Sequence, residues 1–124
     1  MKNGLTEVEL ELMNILWRLK EGSVNDVLAE LPTDRKLAYT SVSTILRILE
    51  QKKVLGSRKE GRGHIYLPKL SKTDYEASAL KNIVNKVFDG TPVAMVRQLL
   101  DTNDLTKNDL KEIQKLLNER LGNK

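Results

Sequence analysis

Between Ala38 and Pro68 the chain changes its hydrophobic period, and that change limits the folds open to it. Val42, Ile45, Leu46 and Leu49 recur at i, i+3, i+4 and i+7, the spacing of one buried helical stripe. A few residues later the helical spacing stops. Val54-Leu55-Gly56-Ser57-Arg58-Lys59 and His64-Ile65-Tyr66-Leu67 read as two strands around a turn at Glu60-Gly61-Arg62-Gly63, and Pro68 ends the second. An isolated hairpin is marginal in water, so this one must lean on helices. Ile65 and Leu67 are the expected anchors to the core, with the charged tip projecting.

Three amphipathic segments surround that reading on the N-terminal side. Thr6 and Glu9 form a capping-box pattern, with Leu5 and Leu10 placed as a hydrophobic staple. Val8, Leu12, Ile15, Leu16 and Leu19 follow at helical spacing, which predicts a first helix over about 7–20, stopped by Gly22. Trp17 flanks this stripe and is expected in the core. Ser23 caps a second helix through Val24, Val27, Leu28 and Leu31, ended by Pro32. The third runs from Ala38 to Lys52.

After Pro68 the helical period returns. Ser71 opens a fourth helix carrying Ala77, Leu80, Ile83, Val84, Val87 and Phe88, broken at Asp89-Gly90. Thr91-Pro92 is a cap followed by proline at the first helical position, and Val93, Val96, Leu99 and Leu100 form the fifth stripe. Thr106, with Asp109 three residues on, caps a sixth helix bearing Leu110, Ile113, Leu116, Leu117 and Leu121. Three helices, a hairpin and three more helices predict a mainly α chain with a small β-hairpin. The expected architecture is a winged helix-turn-helix over 1–70 followed by a helical dimerisation segment over 71–124.

Charge is distributed unevenly along this order. Residues 1–34 hold three basic and seven acidic side chains, net −4; residues 35–69 hold nine and two, net +7; residues 70–124 are near balance at +1. A basic middle third favours a polyanionic partner. Its third helix has a second face of Thr40, Ser43, Thr44 and Arg47, with Tyr39 and Ser41 beside it. Short hydroxyls suit phosphates and base edges, and an arginine reaches phosphate or guanine. At the hairpin, Arg58, Lys59, Arg62, Gly63 and His64 complete the candidate DNA-binding set; the tip can follow phosphates or enter a minor groove. Double-stranded DNA is therefore the expected partner. The alternative is a helical protein-interaction module, which would need neither the basic hairpin nor the hydroxyl-rich helix.

Several function classes are not expected. The chain has no cysteine and one histidine, so neither a metal site nor a cofactor is predicted. No nucleophile elbow, phosphate loop or zinc spacing occurs, and an enzyme is not expected. Thr6, Ser23, Ser71, Thr91 and Thr106 have a sufficient role as caps. No run of 18 apolar residues or signal-peptide core is present, so a soluble cytoplasmic protein without membrane insertion is expected.

The segments LTEVELELMNILW (5–17) and LAYTSVSTILRILEQKKVLGSRKEGRGHIYLP (37–68) resemble the penicillinase-repressor (BlaI/MecI) family, and the resemblance extends over essentially the whole chain. It implies a homodimeric repressor whose winged helix binds a palindromic operator and whose C-terminal helices make the dimer. The stripe residues Leu80, Ile83, Val84, Val87, Phe88, Val93, Val96, Leu99, Leu100, Leu110, Ile113, Leu116 and Leu117 are the corresponding interface candidates. The alternative is a bundle closed within one chain, but three such helices bury their apolar faces more fully against a second copy, so dimerisation is preferred, in part on the resemblance. In several members a membrane sensor responding to β-lactams triggers proteolysis of the repressor. The family's scissile Asn-Phe pair falls at Gln98-Leu99 here, so a regulatory cleavage would act on a changed sequence. The cysteine cluster of the copper-responsive branch is absent. β-Lactam resistance genes are the targets the resemblance implies.

Overall fold

The computed structural model describes residues 4–122. Its elements are α1 (Glu7–Leu19), α2 (Val24–Glu30), α3 (Tyr39–Gln51), β1 (Leu55–Glu60), β2 (Gly63–Pro68), α4 (Lys72–Val87), α5 (Pro92–Asp101) and α6 (Lys107–Arg120). They group into two compact units, one ending at Leu80 and the other beginning at Lys81.

Local chemistry explains most of the helix starts. Thr6 Oγ1 accepts from the Glu9 amide at 3.1 Å, and the Glu9 carboxylate accepts from the Thr6 amide at 2.9 Å. Ser23 with Asp26 and Thr106 with Asp109 repeat this reciprocal arrangement. Ser71 Oγ accepts from the Asp74 amide at 3.0 Å. Thr91 differs from the expectation. It sits at the N-cap of α5 but makes no side-chain capping bond. Pro92 already supplies a first-turn residue that lacks the amide and has a suitable φ.

The core of the N-terminal unit is drawn from α1, α2, α3 and the hairpin. Leu12, Met13 and Leu16 of α1, Val27 of α2, Val42, Leu46 and Leu49 of α3, and Val54 and Leu55 at the start of the hairpin are essentially inaccessible. Each large aliphatic side chain buried this way contributes about 1.5–3 kcal/mol. Trp17 is half-buried against this cluster, where its indole N–H donates to the Leu70 carbonyl at 2.9 Å and its ring packs on Tyr75.

Glu9 is buried as well as capping. Lys52, at the C-terminal end of α3, donates to both its carboxylate oxygens at 2.9 Å. Burial by itself raises the Glu9 pKa, but the Lys52 ammonium and the Thr6 amide together hold it below the usual carboxylate value.

β1 and β2 pair antiparallel in the register Arg58↔Ile65, Lys59↔His64 and Glu60↔Gly63. Gly61 takes φ +60° while Arg62 does not. This is the pattern of a type II′ turn, which calls for glycine at its first central position. On its other edge β2 meets Gly22, whose amide donates to the Tyr66 carbonyl at 2.9 Å and whose carbonyl accepts from the Tyr66 amide at 2.8 Å. A Cβ at Gly22 would lie 3.1 Å from Asp26 Cβ, so the bridge leaves little room for a side chain.

The anchor of the hairpin is Tyr66, 5% exposed, rather than Ile65 and Leu67, which are only half-buried. Side chains alternate along a strand, so Ile65 and Leu67 share the face that turns away from α3. Only one of the two faces enters the core, and the aromatic residue has it.

The C-terminal unit is packed differently. Of the stripe residues of α4–α6, Val84 is buried and Phe88 and Ile113 are half-buried. Val87, Val93, Leu116, Leu117 and Leu121 are each more than half exposed. No helix among the described residues is long and apolar enough to cross a membrane.

Candidate nucleic-acid interface

The exposed side of α3 follows from its buried side. With Val42, Leu46 and Leu49 in the core, a period of 3.6 turns Thr40, Thr44, Arg47 and Gln51 outward. Ser43 lies half-buried at the margin nearer the hairpin, 3.5 Å from the Arg47 guanidinium. Tyr39 and Ser41 are exposed in the first turn. Ala38 offers no capping side chain, so the first amides of α3 remain open to an outside acceptor.

The hairpin brings its tip to the same side. Residues directly opposite across the two strands share a face, so Ser57, Tyr66, Lys59 and His64 lie together. Tyr66 is in the core, and the Ser57 hydroxyl donates to the Glu50 carboxylate of α3 at 2.6 Å. This is therefore the face toward α3, with Lys59 and His64 at its outer end. Burial, then the Glu50 carboxylate, push the Tyr66 phenol above its ordinary pKa, with Arg47 opposing and Tyr39 adding. A cleft of about 190 Å³ is lined jointly by Tyr39 and Ser43 of α3, Arg62, Gly63, His64 and Tyr66 of the hairpin, and the α2 cap Ser23 with Val24 and Asn25 of α2.

Asn25 was not among the sequence candidates. It is the second residue of α2, two positions past its cap, and is exposed where it lines the cleft. Its only sequence signal was a polar residue in a first helical turn, where polar residues are common. Gln51 is exposed but does not line the cleft. It falls one turn beyond Arg47 on the same face, at i+4.

Several basic residues of the central third are already paired with carboxylates. Arg35 is held by both Glu11 oxygens at 3.0 Å, and Lys52 is bound to Glu9. Arg58 lies on the hairpin face opposite Lys59 and His64 and forms a two-pronged pair with Glu21 at 2.9 and 2.8 Å, with Glu60 at 3.4 Å. That pair lowers the Glu21 pKa, and it raises the Arg58 pKa further above its already high ordinary value. Arg47, Lys59 and Arg62 form no ion pair among the described residues, and all three are exposed.

An exposed hydroxyl-rich helix, a basic hairpin beside it and a shared cleft define a winged-helix protein of the DNA-binding class. The family model described as Penicillinase repressor matches residues 5–119. The chain belongs to the penicillinase repressor family. It is 28% identical over 120 residues to the penicillinase repressor of Bacillus licheniformis, covering 97% of this chain and 94% of that one. Among solved structures it is similar to the DNA-binding domain of the repressor BlaI, with a TM-score of 0.53, 29% identity, and coverage of 60% of this chain and 92% of that domain. A structure of the monomeric form of the Bacillus licheniformis BlaI in complex with the blaP half-operator matches at a TM-score of 0.51 and 29% identity, with the same coverage.

Proposed function

We propose that this protein is a transcriptional repressor that binds a two-fold symmetric operator as a homodimer, one winged helix per half-site. The observation that carries the reading is the joint cleft, where the first turns of α3 and the tip of the hairpin face the same space. In this arrangement α3 enters the major groove. Thr40, Ser41, Ser43 and Thr44 meet phosphates and base edges, and Arg47 reaches phosphate or guanine. Arg62, Lys59, Gly63 and His64 follow the adjoining backbone, Tyr39 flanks the cleft, and the Asn25 amide adds a donor from α2.

The C-terminal helices supply the second half of the mechanism. Their exposed stripes, including Val93, Leu100, Leu116 and Leu117, are the dimer surface. The Bacillus licheniformis relative, solved as a monomeric form on a half-operator, supports one copy per half-site. Joining two copies makes the second contact effectively intramolecular, which raises avidity by roughly 10²–10⁴-fold. A signal that breaks the C-terminal contact then releases DNA without altering α3. Proteolysis at Gln98-Leu99, within exposed α5, is one such signal, and a membrane sensor would be its source. The relatives' names point to β-lactam resistance genes as targets.

A mobility shift with the chain's own promoter region against scrambled duplex tests the reading. A shift that scrambled competitor cannot remove is expected. Equal competition by both duplexes would leave a protein-interaction module as the better account.

A further inference from the structure

Resting on that reading, we infer that two acidic residues, Glu21 and Glu50, are positioning residues for DNA binding. They strap the outer strand of the hairpin to the body from its two faces. The inner strand is joined to the body by backbone along its length, through the Gly22–Tyr66 bridge, whereas the outer strand is rooted at its start, where the Val54 amide donates to the Leu49 carbonyl and Leu55 is buried. Beyond that root, β1 has no lateral backbone partner on the body among the described residues. Instead, two consecutive β1 residues reach carboxylates on opposite sides: Ser57 to Glu50 of α3 at 2.6 Å, and Arg58 to Glu21 of the α1–α2 turn at 2.8 and 2.9 Å.

The geometry gives each strap a definite span. Arg58 stands opposite Ile65, and Glu21 precedes the glycine that pairs with Tyr66. The guanidinium therefore crosses β2 to reach the body. A planar fork meeting a carboxylate fixes direction as well as distance, which a single ammonium contact does not. Held from both faces, the hairpin keeps Arg62 and His64 beside Tyr39 and Ser43 before DNA arrives. That prior ordering lowers the conformational cost of binding.

Electrostatics and the straps predict opposite signs. Coulomb's law alone says that removing an acidic side chain beside DNA strengthens binding. A strap says the reverse. The test measures affinity and its salt dependence for a labelled duplex of the chain's own promoter region, using full-length protein. Glu21→Gln and Arg58→Lys should each weaken binding by about two- to fivefold, the scale of a well-formed exposed pair. The slope of log affinity against log salt should stay unchanged, because Arg58 neutralises no phosphate. The reversed pair Glu21→Arg with Arg58→Glu should recover most of the affinity. Ser57→Ala, which changes no charge, should weaken binding at the same slope. Hydrogen exchange of the β1 amides in the free protein should quicken in each weakened variant.

Tighter binding by Glu21→Gln with a steeper slope would overturn the inference, since Arg58 would then be exchanging its carboxylate for a phosphate. Unchanged affinity in all the variants would overturn it too. Wild-type protein that does not distinguish its promoter from scrambled duplex removes the operator reading and the straps together; retained discrimination with either contrary pattern removes the straps alone.

Discussion

The two units of this chain use the same kind of residue to opposite ends. Through Leu80, aliphatic side chains spaced along α1, α2 and α3 close on one another, and Leu12, Leu16, Leu46 and Leu49 have no exposed surface. From Lys81 on, equally regular stripes leave Leu99, Leu100, Leu110 and Leu117 each close to half exposed or more. The first unit has a hairpin and a third helix that cap its stripes. In the second, the described helices leave their stripes largely uncovered. Amphipathic period alone thus says that a face wants burial, and not whether the chain itself provides it.

The contrast breaks most readily at Leu117. Leu117→Glu should leave the N-terminal unit folded, yield a monomer by light scattering, and weaken operator affinity by roughly 10²–10⁴-fold. A dimer that survives this change with full affinity would mean that the exposed stripes serve something else. Leu46→Ala is the opposite probe. It removes a fully buried side chain and should cost about 2–5 kcal/mol in denaturant unfolding, whereas Leu117→Ala in dilute protein should cost little. Similar losses at both sites would erase the difference between the units.

Smaller effects sharpen the N-terminal side of the comparison. Arg62→Ala should weaken DNA binding about equally for all sequences and reduce the salt slope by about 0.9, the value for one phosphate. An unchanged slope would take the hairpin tip off the backbone. Glu9→Gln keeps a side chain able to complete the cap but loses the charge that faces Lys52. It should destabilise the fold by about 1 kcal/mol near neutral pH, since Lys52 remains partly in solvent. The folded Glu9 pKa is lowered, so its contribution is present above the unfolded carboxylate value and is lost as pH falls through the folded one. The gap between wild type and variant in thermal unfolding should therefore close on acidification. A gap that widens would reverse the sign assigned to this pair.

Much of this was legible along the chain, and the pattern of success is local. The caps at Thr6, Ser23 and Thr106 act within three residues, and each forms as its spacing predicts. The hydroxyl face of α3 could be read because its buried stripe fixes the opposite side. Thr91 fell short because Pro92 can start a helix without help. At the hairpin, Ile65 and Leu67 outweighed Tyr66 on hydrophobicity, but strand alternation allows one face into the core and register chose Tyr66.

The sequence by itself determined the helices, the turn at Gly61, the family and the concentration of positive charge in the middle third. Those features depend on neighbours within a turn or a strand pair. Only the tertiary structure decided which charges remain open. Arg58 and Glu21 are 37 positions apart, and Lys52 and Glu9 are 43 apart. Distance along the chain carries no information about such pairs until packing closes it. Folding therefore ties Arg58 and Lys52 to carboxylates and leaves Arg47, Lys59 and Arg62 exposed, with Arg62 lining the cleft.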